Sequence, residues 1–175
     1  MMRKVEVVPH NPAWRQMFEI ESQKITKVLA ENLIAIHHIG STAIPNIYAK
    51  PIIDLLGEVK DIAKIDQYNV QMGGLGYEAM GEFGIPDRRY FPKHNSEGIR
   101  THHLHFFAVG SEQVKRHLAF RDYLIAYPEI AQQYSNLKRK LAREFSDDIE
   151  GYMDGKDGLI KDIDRKAALW KAGEE

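Results

Sequence analysis

The residues whose types and spacing best suit chemistry lie in two neighbouring motifs, HIGSTAIP from His38 to Pro45 and KPIID from Lys50 to Asp54. Glycine lets the backbone approach a ligand closely, and a serine that opens a helical turn offers a hydroxyl group and free N–H groups. Both features suit a phosphate group. Gly40 and Ser41 are therefore predicted phosphate-binding residues, with a plain helix cap as the alternative role for Ser41.

Asp54 interrupts an apolar segment that has the character of a strand buried on both faces. The apolar residues are Ile52, Ile53, Leu55 and Leu56. A charged carboxylate in such a strand is costly unless it is paired, hydrogen-bonded or bound to a metal ion. Asp54 therefore needs one of these environments, and it is a candidate metal ligand and catalytic residue. The alternative is a structural carboxylate that caps backbone N–H groups or pairs with Lys50.

Two histidines extend this hypothesis to a second strand, predicted over 101–109. His103 and His105 are two positions apart, so their side chains share one strand face at a separation of ~6.5–7 Å. Imidazoles with one carboxylate form a chemically sensible metal site. His103 and His105 are candidate metal ligands beside Asp54, His105 is also a candidate catalytic residue, and His38 could join them. The alternative is that all are ordinary core or surface imidazoles.

Arg121 is a candidate phosphate-binding residue on a helix predicted over 111–127. Val114, Leu118 and Ile125 form an apolar stripe at helical spacing, and Arg121 falls inside that stripe. A buried guanidinium keeps its charge, so it needs a carboxylate, carbonyl oxygens or a bound anion. Asp122 is expected to point elsewhere, because adjacent residues of a helix do not face each other.

Other basic residues fall into two groups. The first flanks weak strands in the middle of the chain and either clamps a triphosphate or is solvated; its members are Arg88, Arg89, Lys93 and Arg100. The second lies between the apolar positions of a later helix and is predicted to form a solvated face; its members are Lys138, Arg139, Lys140 and Arg143.

The spacing of apolar residues predicts an α/β (α+β) fold. Helical spacing marks 12–30, 61–71, 111–127 and two stripes, from Ile130 to Phe145 and from Ile160 to Trp170. Strand character marks 33–39, 52–56, 77–80, 88–93 and 101–109. These elements predict a mixed β-sheet flanked by helices, with a C-terminal helical part that packs as a cap or small bundle against the sheet.

Composition excludes several classes of function. The chain has 24 basic and 25 acidic residues, a net charge of -1, and no cysteine. General nucleic-acid or anionic-membrane binding is therefore not expected, and thiolate metal sites are excluded. The first residues have no apolar core of a signal peptide, and no stretch reaches the ~20 apolar residues that span a bilayer. A cytoplasmic location is predicted.

The motifs resemble those of the GrpB-like family, small bacterial proteins of the nucleotidyltransferase superfamily. Besides HIGSTAIP and KPIID, the resemblance rests on HHLH from His102 and HLAFRDYL from His117, and it covers nearly the whole chain. It implies one nucleotidyltransferase-fold domain over 1–175. In that superfamily, Gly-Ser opens a helix that holds nucleotide phosphates, and three strand carboxylates bind Mg²⁺; Gly40, Ser41 and Asp54 match the first part of this pattern.

The rest of the carboxylate pattern differs. The second carboxylate of the superfamily would stand at position 56, which is Leu56, and Glu58 has the right strand parity but lies roughly 13 Å from Asp54. The third would lie on the strand that carries His103 and His105. The chain therefore departs from the ligand set of the standard two-metal reaction.

The leading functional hypothesis is a nucleotidyltransferase-like protein that binds a nucleotide or phosphorylated small molecule with a divalent metal, Mg²⁺ first and Zn²⁺ or Mn²⁺ as alternatives. In this hypothesis Lys50 and Arg121 neutralise phosphate charge. Two alternatives stay open. One is a binding module without turnover that helps another enzyme, for example one of coenzyme A synthesis, as a protein partner. The other is a metal-dependent phosphate hydrolase that uses the histidines.

Overall fold

The structure is a computed structural model that describes residues 5–174. The chain forms two compact units. The sheet unit comprises Pro12–Ile39 and Ile52–Lys115, and the helical unit comprises Gly40–Pro51 and the described parts of Met1–Asn11 and Arg116–Glu175. That 1–175 behaves as one domain stays a prediction.

The sheet unit is built on four strands, β1 Leu33–Ile39, β2 Ile53–Val59, β3 Arg89–His94 and β4 Arg100–Ala108. Their order is β1-β2-β4-β3. The β2 and β4 strands are parallel, whereas β1 and β3 pair antiparallel to their neighbours. The predicted mixed sheet is thus confirmed.

One face of the sheet packs against helix α1, Ala13–Leu29. Ile25 and Leu29 of α1 are fully buried, as are Leu55 and Leu104 of the strands. Because side chains alternate along a strand, residues 53, 55 and 57 face α1 and residues 54, 56 and 58 face the other way. The apolar stripe predicted for 12–30 therefore explains how one sheet face is covered.

Two predicted elements differ in detail. The segment predicted as a helix over 61–71 is a 3₁₀ turn, Ala63–Tyr68, followed by a short helix α2, Asn69–Gly74. The strand predicted over 77–80 is reduced to one bridge between Tyr77 and Lys93. In both cases the apolar residues are few, and single buried side chains such as Met72 and Tyr77 anchor the segment.

The helical unit contains α4 Pro128–Glu144, α5 Ile149–Glu174 and most of α3, Glu112–Ala126. Its core joins Ile44 and Ile47 to Tyr134 and Ile163. Helix α5 begins about one helical turn after α4 ends, well before the stripe that predicted it. Packing of these helices against the sheet stays a prediction.

No helix within the described residues combines the length and the apolar character needed to cross a membrane.

Candidate functional site

Asp54, His103 and His105 converge on the sheet face opposite α1. Oδ1 of Asp54 lies 3.3 Å from Nδ1 of His103 and 3.7 Å from Nε2 of His105. One ligand atom from each of the three residues lies within 4.8 Å of the others. The three side chains are 28%, 23% and 15% exposed, so the cluster is reachable from solvent.

The register of the central strands produces this convergence. Asp54 of β2 lies directly across from His103 of β4, and Leu56 lies across from His105. Partners across a ladder point to the same face, and so do residues two apart on one strand. The prediction that both imidazoles project to the side of Asp54 is therefore confirmed as geometry. Their functional role stays a prediction.

The carboxylate of Asp54 is held in its charged form. Burial alone would raise the pKa of Asp54, but hydrogen bonds from His103 and His105 and the charge of these imidazoles outweigh burial and place it below its ordinary value. Asp54 therefore offers a carboxylate oxygen rather than a hydroxyl group to any ligand bound at the cluster.

Tyr90 of β3 forms an aromatic wall beside the two imidazoles. It lies across from His105 in the antiparallel ladder, and the two rings stack with centroids 5.4 Å apart. The ring of Tyr90 also meets His103 edge-on at 5.8 Å. Tyr90 is only 5% exposed, so these contacts fix the orientation of both imidazoles from one side.

Arg88 is a functional candidate that sequence reasoning did not separate from its basic neighbours. It is 8% exposed, and its Nη1 lies 3.4 Å from Nδ1 of His105. Its guanidinium donates to the backbone oxygens of Glu82 (3.1 Å) and Phe83 (2.8 Å) and lies 4.9 Å from the centroid of the Tyr90 ring. Burial lowers the pKa of Arg88, and Tyr90 acts in the opposite direction.

The neighbours of Arg88 in sequence are engaged elsewhere. Arg89 pairs with Asp66 at 2.8 Å, and Lys93 pairs with Glu21 of α1 at 2.9 Å. Arg100 donates to His94. A triphosphate clamp made of all four basic residues is therefore wrong, since only Arg88 reaches the cluster.

A cleft of about 360 Å³ opens beside the cluster. It is lined by the turn from Phe83 to Ile85 and by Arg88, Tyr90, His103 and His105. Phe83 is 58% exposed and stacks on Tyr90 with centroids 5.3 Å apart. The cleft thus combines a guanidinium, two imidazoles and aromatic surface, which are groups that bind anionic and planar ligands.

The donor set of the cluster fits a divalent metal ion. Two imidazoles and one carboxylate suit Zn²⁺, Mn²⁺ or Fe²⁺, whereas Mg²⁺ prefers oxygen ligands. The second ring nitrogen of a metal-binding histidine usually donates to a carboxylate, a carbonyl oxygen or water. Here Nε2 of His103 is buried without a hydrogen-bond partner among the described residues, and Nδ1 of His105 faces Arg88. A metal-bound His105 Nε2 leaves the ring proton on Nδ1, so Arg88 would have to turn away from it.

The carboxylate pattern is incomplete on this face, as expected from the sequence. Leu56 is fully buried at the position where a second carboxylate would stand. Strand β2 pairs with β4 without a break through Gly57, so Glu58 keeps the parity of Asp54. Glu58 instead contacts His37, whose Nε2 lies 2.6 Å from its Oε2. Within the described residues, Asp54 is thus the one carboxylate of the cluster.

His38 does not join the cluster. It lies across from Leu55 in the β1–β2 ladder, so it faces α1 rather than the side of Asp54. There its ring stacks on Phe18 with centroids 4.9 Å apart. The suggestion that His38 adds a ligand is therefore wrong, because strand alternation places it on the opposite sheet face.

The other predicted phosphate-binding residues belong to the helical unit. Gly40 has a φ of 73°, a conformation that favours glycine, and Ser41 opens a three-residue 3₁₀ turn that ends at Ala43. Lys50 lies over the ring of Tyr152, with its amine 4.6 Å from the centroid. A role in phosphate binding stays a prediction for each of these residues.

The helix face proposed for Arg121 needs correction. Ile125 is 44% exposed, and the buried residues of α3 are Val114, Ala119, Tyr123 and Leu124. Arg121 is half-buried, and its Nε and Nη2 both lie 2.9 Å from Oδ1 of Asp122. The expectation that Asp122 points elsewhere is wrong, because the long arginine side chain folds back along the helix to reach its neighbour.

The chain matches the family model described as GrpB protein over residues 4–166. The chain belongs to the GrpB family. It is similar to the crystal structure of conserved protein GrpB from Enterococcus faecalis, at 43% identity and a TM-score of 0.89, with 94% of this chain and 99% of that chain covered. The family resemblance deduced from the motifs is confirmed.

Relatives of this GrpB-family chain differ in length. YqkA of Bacillus subtilis (strain 168) is 47% identical over 171 residues, which are 98% of this chain but 49% of YqkA. The chain therefore spans about half the length of that relative. A dephospho-CoA kinase of Mycolicibacterium paratuberculosis (strain ATCC BAA-968 / K-10) is 24% identical over 95% of this chain and 46% of the kinase.

The GrpB-family chain shares the nucleotidyltransferase-type fold. The structure of Cid1 in complex with the UTP analog UMPNPP superposes with a TM-score of 0.52 at 10% identity, covering 78% of this chain and 42% of Cid1. At this identity the likeness concerns the fold alone.

Proposed function

We propose that this GrpB-family chain binds a phosphorylated small molecule, with a nucleotide as the first candidate, at a divalent metal ion held by Asp54, His103 and His105. The observation that carries the proposal is the convergence of two imidazoles and a charged carboxylate within 4.8 Å beside an open cleft. A set of donors this close, on one face of a rigid sheet, needs little rearrangement to bind an ion.

Each residue has a role in this proposal. Asp54 and the imidazoles hold the ion, which when bound would neutralise phosphate charge. The guanidinium of Arg88 is fixed by the backbone oxygens of Glu82 and Phe83, which accept from its Nε and Nη2. Its Nη1, beside His105, is the donor proposed for a phosphate oxygen. Gly40, Ser41, Lys50 and Arg121 stay predicted phosphate-binding residues.

Zn²⁺ or Mn²⁺ is proposed in preference to the Mg²⁺ expected from the superfamily. Magnesium usually keeps several waters and takes carboxylate and phosphate oxygens, and the cluster offers a single carboxylate. Imidazole nitrogen is a better ligand for the transition metals. Two imidazoles in the donor set therefore change the expected metal ion, and a phosphorylated ligand is still expected.

Binding without transfer is the second candidate function. Leu56 occupies the position of a second carboxylate, and Glu58 pairs with His37. Among the described residues, the cluster therefore has no second carboxylate to bind a second metal ion. The similarity to part of a dephospho-CoA kinase supports a role beside another enzyme. A cytoplasmic location is consistent with either candidate and is proposed with them.

Calorimetry on metal-stripped protein tests the proposal. Zn²⁺, Mn²⁺ and Mg²⁺ are titrated first, and ATP, GTP, CTP and UTP are then titrated with and without the best ion. Asp54→Asn and His105→Gln should lose metal binding, whereas Glu97→Gln and His94→Gln, at exposed positions of the same unit, should keep it. Equal metal affinity in Asp54→Asn and the parent rejects the site.

Product analysis separates the candidate functions. Nucleotide that is bound with metal and recovered intact supports a binding module, and release of inorganic phosphate supports a phosphate hydrolase. Transfer of a nucleotide to an added acceptor would restore the nucleotidyltransferase hypothesis.

A further inference from the structure

Phe83 is an exposed aromatic residue that lines the cleft beside the cluster. It is 58% exposed, so most of its surface contributes little to the free energy of folding. Its φ of 47° lies in the left-handed region, which is costly for a bulky side chain. Residues held in such a conformation often belong to ligand-binding sites. Phe83 therefore combines an uncommon backbone conformation with ring surface that a ligand can cover.

Phe83 ends a stack of three rings that begins at the cluster. The imidazole of His105 stacks on Tyr90 with centroids 5.4 Å apart, and Tyr90 stacks on Phe83 at 5.3 Å. The interplanar angles are 27° and 25°, so successive rings are roughly parallel. One face of the Phe83 ring meets Tyr90, and the large exposed fraction of the residue leaves ring surface available on the other side.

Hydrogen bonds fix the turn that carries Phe83. Arg88 donates from Nη2 to the backbone oxygen of Phe83 at 2.8 Å and from Nε to that of Glu82 at 3.1 Å. The side chain of Glu82 accepts from the backbone N–H of Asp87 at 2.6 Å. The backbone N–H of Ile85 donates to the backbone oxygen of Glu82 at 3.2 Å. The ring is therefore presented by a preorganised turn, which lowers the entropic cost of binding.

Arg88 places a phosphate donor beside this ring. The same guanidinium whose Nη2 holds Phe83 has its Nη1 3.4 Å from Nδ1 of His105. A phosphate group at Nη1 would therefore lie one side chain away from the Phe83 ring. In a nucleotide a sugar separates the phosphate from a planar base, so both groups can occupy these neighbouring places together. A sugar phosphate without a base would leave Phe83 uncovered.

We propose that Phe83 is a stacking platform for the base of a nucleotide whose phosphate binds at the cluster and Arg88. The inference rests on the proposed function, and it narrows the ligand from phosphorylated small molecules to those that carry a purine or pyrimidine ring. Planar rings stack favourably on an exposed aromatic side chain, and the gain is largest where one face of that side chain is already fixed.

The platform selects nucleotides over sugar phosphates without selecting one base. Stacking accepts every base, because each base has a π face. Base identity is read by hydrogen bonds to the base edge, and the backbone oxygens of Glu82 and Phe83 already accept from Arg88. Ring surface, rather than edge recognition, is thus what this turn offers to a base.

AMP and ribose 5-phosphate form a matched pair of ligands for the test. Both carry one phosphate group on the same sugar oxygen, and only AMP carries a base. Calorimetry titrates each into the parent protein with Mn²⁺ present. AMP should bind tighter by roughly tenfold or more, the scale of the effect when an aromatic ring that stacks on a base is removed. UMP should also bind more tightly than ribose 5-phosphate.

Variants of Phe83 assign the preference to its ring. Phe83→Leu stays apolar but removes the ring, so its affinity for AMP should fall to that for ribose 5-phosphate, which should bind as it does to the parent. Phe83→Trp should keep the preference, and the fluorescence that this variant gains should be quenched by AMP and not by ribose 5-phosphate. Ile99→Leu alters another exposed apolar residue, outside the lining of the cleft, and should behave like the parent.

The outcomes separate this inference from the proposed function. Equal affinity of the parent for AMP and ribose 5-phosphate overturns the platform and leaves a phosphate site at the cluster standing. An undiminished preference for AMP in Phe83→Leu also overturns the platform, since the base is then recognised elsewhere. Asp54→Asn should weaken both ligands alike, and a retained preference for AMP in that variant supports the platform even if the affinities do not fall. Absence of binding by both ligands overturns both proposals.

Discussion

The carboxylate of Asp54 and the imidazole of His103 face each other across the parallel β2–β4 ladder, 3.3 Å apart. The two residues lie on the two central strands of the sheet, so their contact does not depend on a loop. His105, two residues further along β4, completes the group from the same face. The geometry of the cluster is therefore set by strand register.

Loss of the Asp54 charge should remove most of the metal affinity. Asp54→Asn keeps the size of the side chain but removes the charged ligand oxygen. We expect metal binding to weaken by about 100-fold or more, since loss of a residue that only supports a ligand already costs up to about 100-fold. Calorimetry with Zn²⁺ and Mn²⁺ measures the change. The circular dichroism spectrum should match that of the parent, and an unaltered affinity would mean that Asp54 is a structural partner of the two imidazoles.

Arg88 should affect phosphate binding without supporting the metal. Arg88→Met removes the guanidinium beside His105, so phosphate affinity in the presence of metal should fall by roughly tenfold, the usual effect of losing a charged hydrogen bond. In the absence of phosphate, the metal affinity of Arg88→Met should equal or exceed that of the parent, because the variant removes a positive charge beside His105. Arg89→Met, which breaks a pair with Asp66, is the matched control. Equal losses in both variants would argue against a specific role for Arg88.

Glu21 should make the stability of the sheet unit depend on pH. Burial alone would raise the pKa of Glu21, but hydrogen bonds from Lys93 and Tyr77 outweigh burial and lower it below 4.5. The folded state therefore binds the Glu21 proton less readily than the unfolded state. The resulting stability is present above pH 4.5 and is lost as the pH falls through the lowered value.

Urea unfolding of Glu21→Gln between acidic and neutral pH measures this contribution. The variant should be less stable at neutral pH by about 1–3 kcal/mol, because Lys93 loses its charged partner. The difference from the parent should shrink in acid. Glu19→Gln, at an exposed position of the same helix, should behave like the parent. A pH-independent difference would show that the charge of Glu21 is not what stabilises the unit.

Two glycines of α5 should respond differently to alanine. A methyl group at Gly158 meets no atom within 4 Å, so Gly158→Ala should stabilise the protein by up to about 1 kcal/mol through helix propensity. A methyl group at Gly155 would lie 2.6 Å from the end of the buried Leu141 side chain, so Gly155→Ala should gain less or lose stability. Thermal melts compare the two, and equal gains would mean that α4 and α5 pack loosely at this point.

Local sequence patterns determined much of the fold. Helix α1 and strands β1, β2 and β4 form where the spacing of apolar residues predicts them, although β2 extends three residues further, to Val59. Strand alternation by itself also places His103 and His105 on a common face, since the two residues are separated by one position. Asp54 could be singled out because a charge in an apolar strand has few low-energy environments.

Tertiary structure decided the environments of the long charged side chains. The burial of Lys138 and the approach of Arg88 to His105 depend on elements that are distant in sequence, and no local pattern encodes them. The stripe of Val114, Leu118 and Ile125 predicts that Arg121 lies on a buried face. Of these three residues only Val114 is buried, and Ala119, Tyr123 and Leu124 pack inward instead. The sequence determined which residues could carry a charge or a ligand, and only the packing of strands and helices decided which of them meet, since burial and charge pairing arise between segments and not within them.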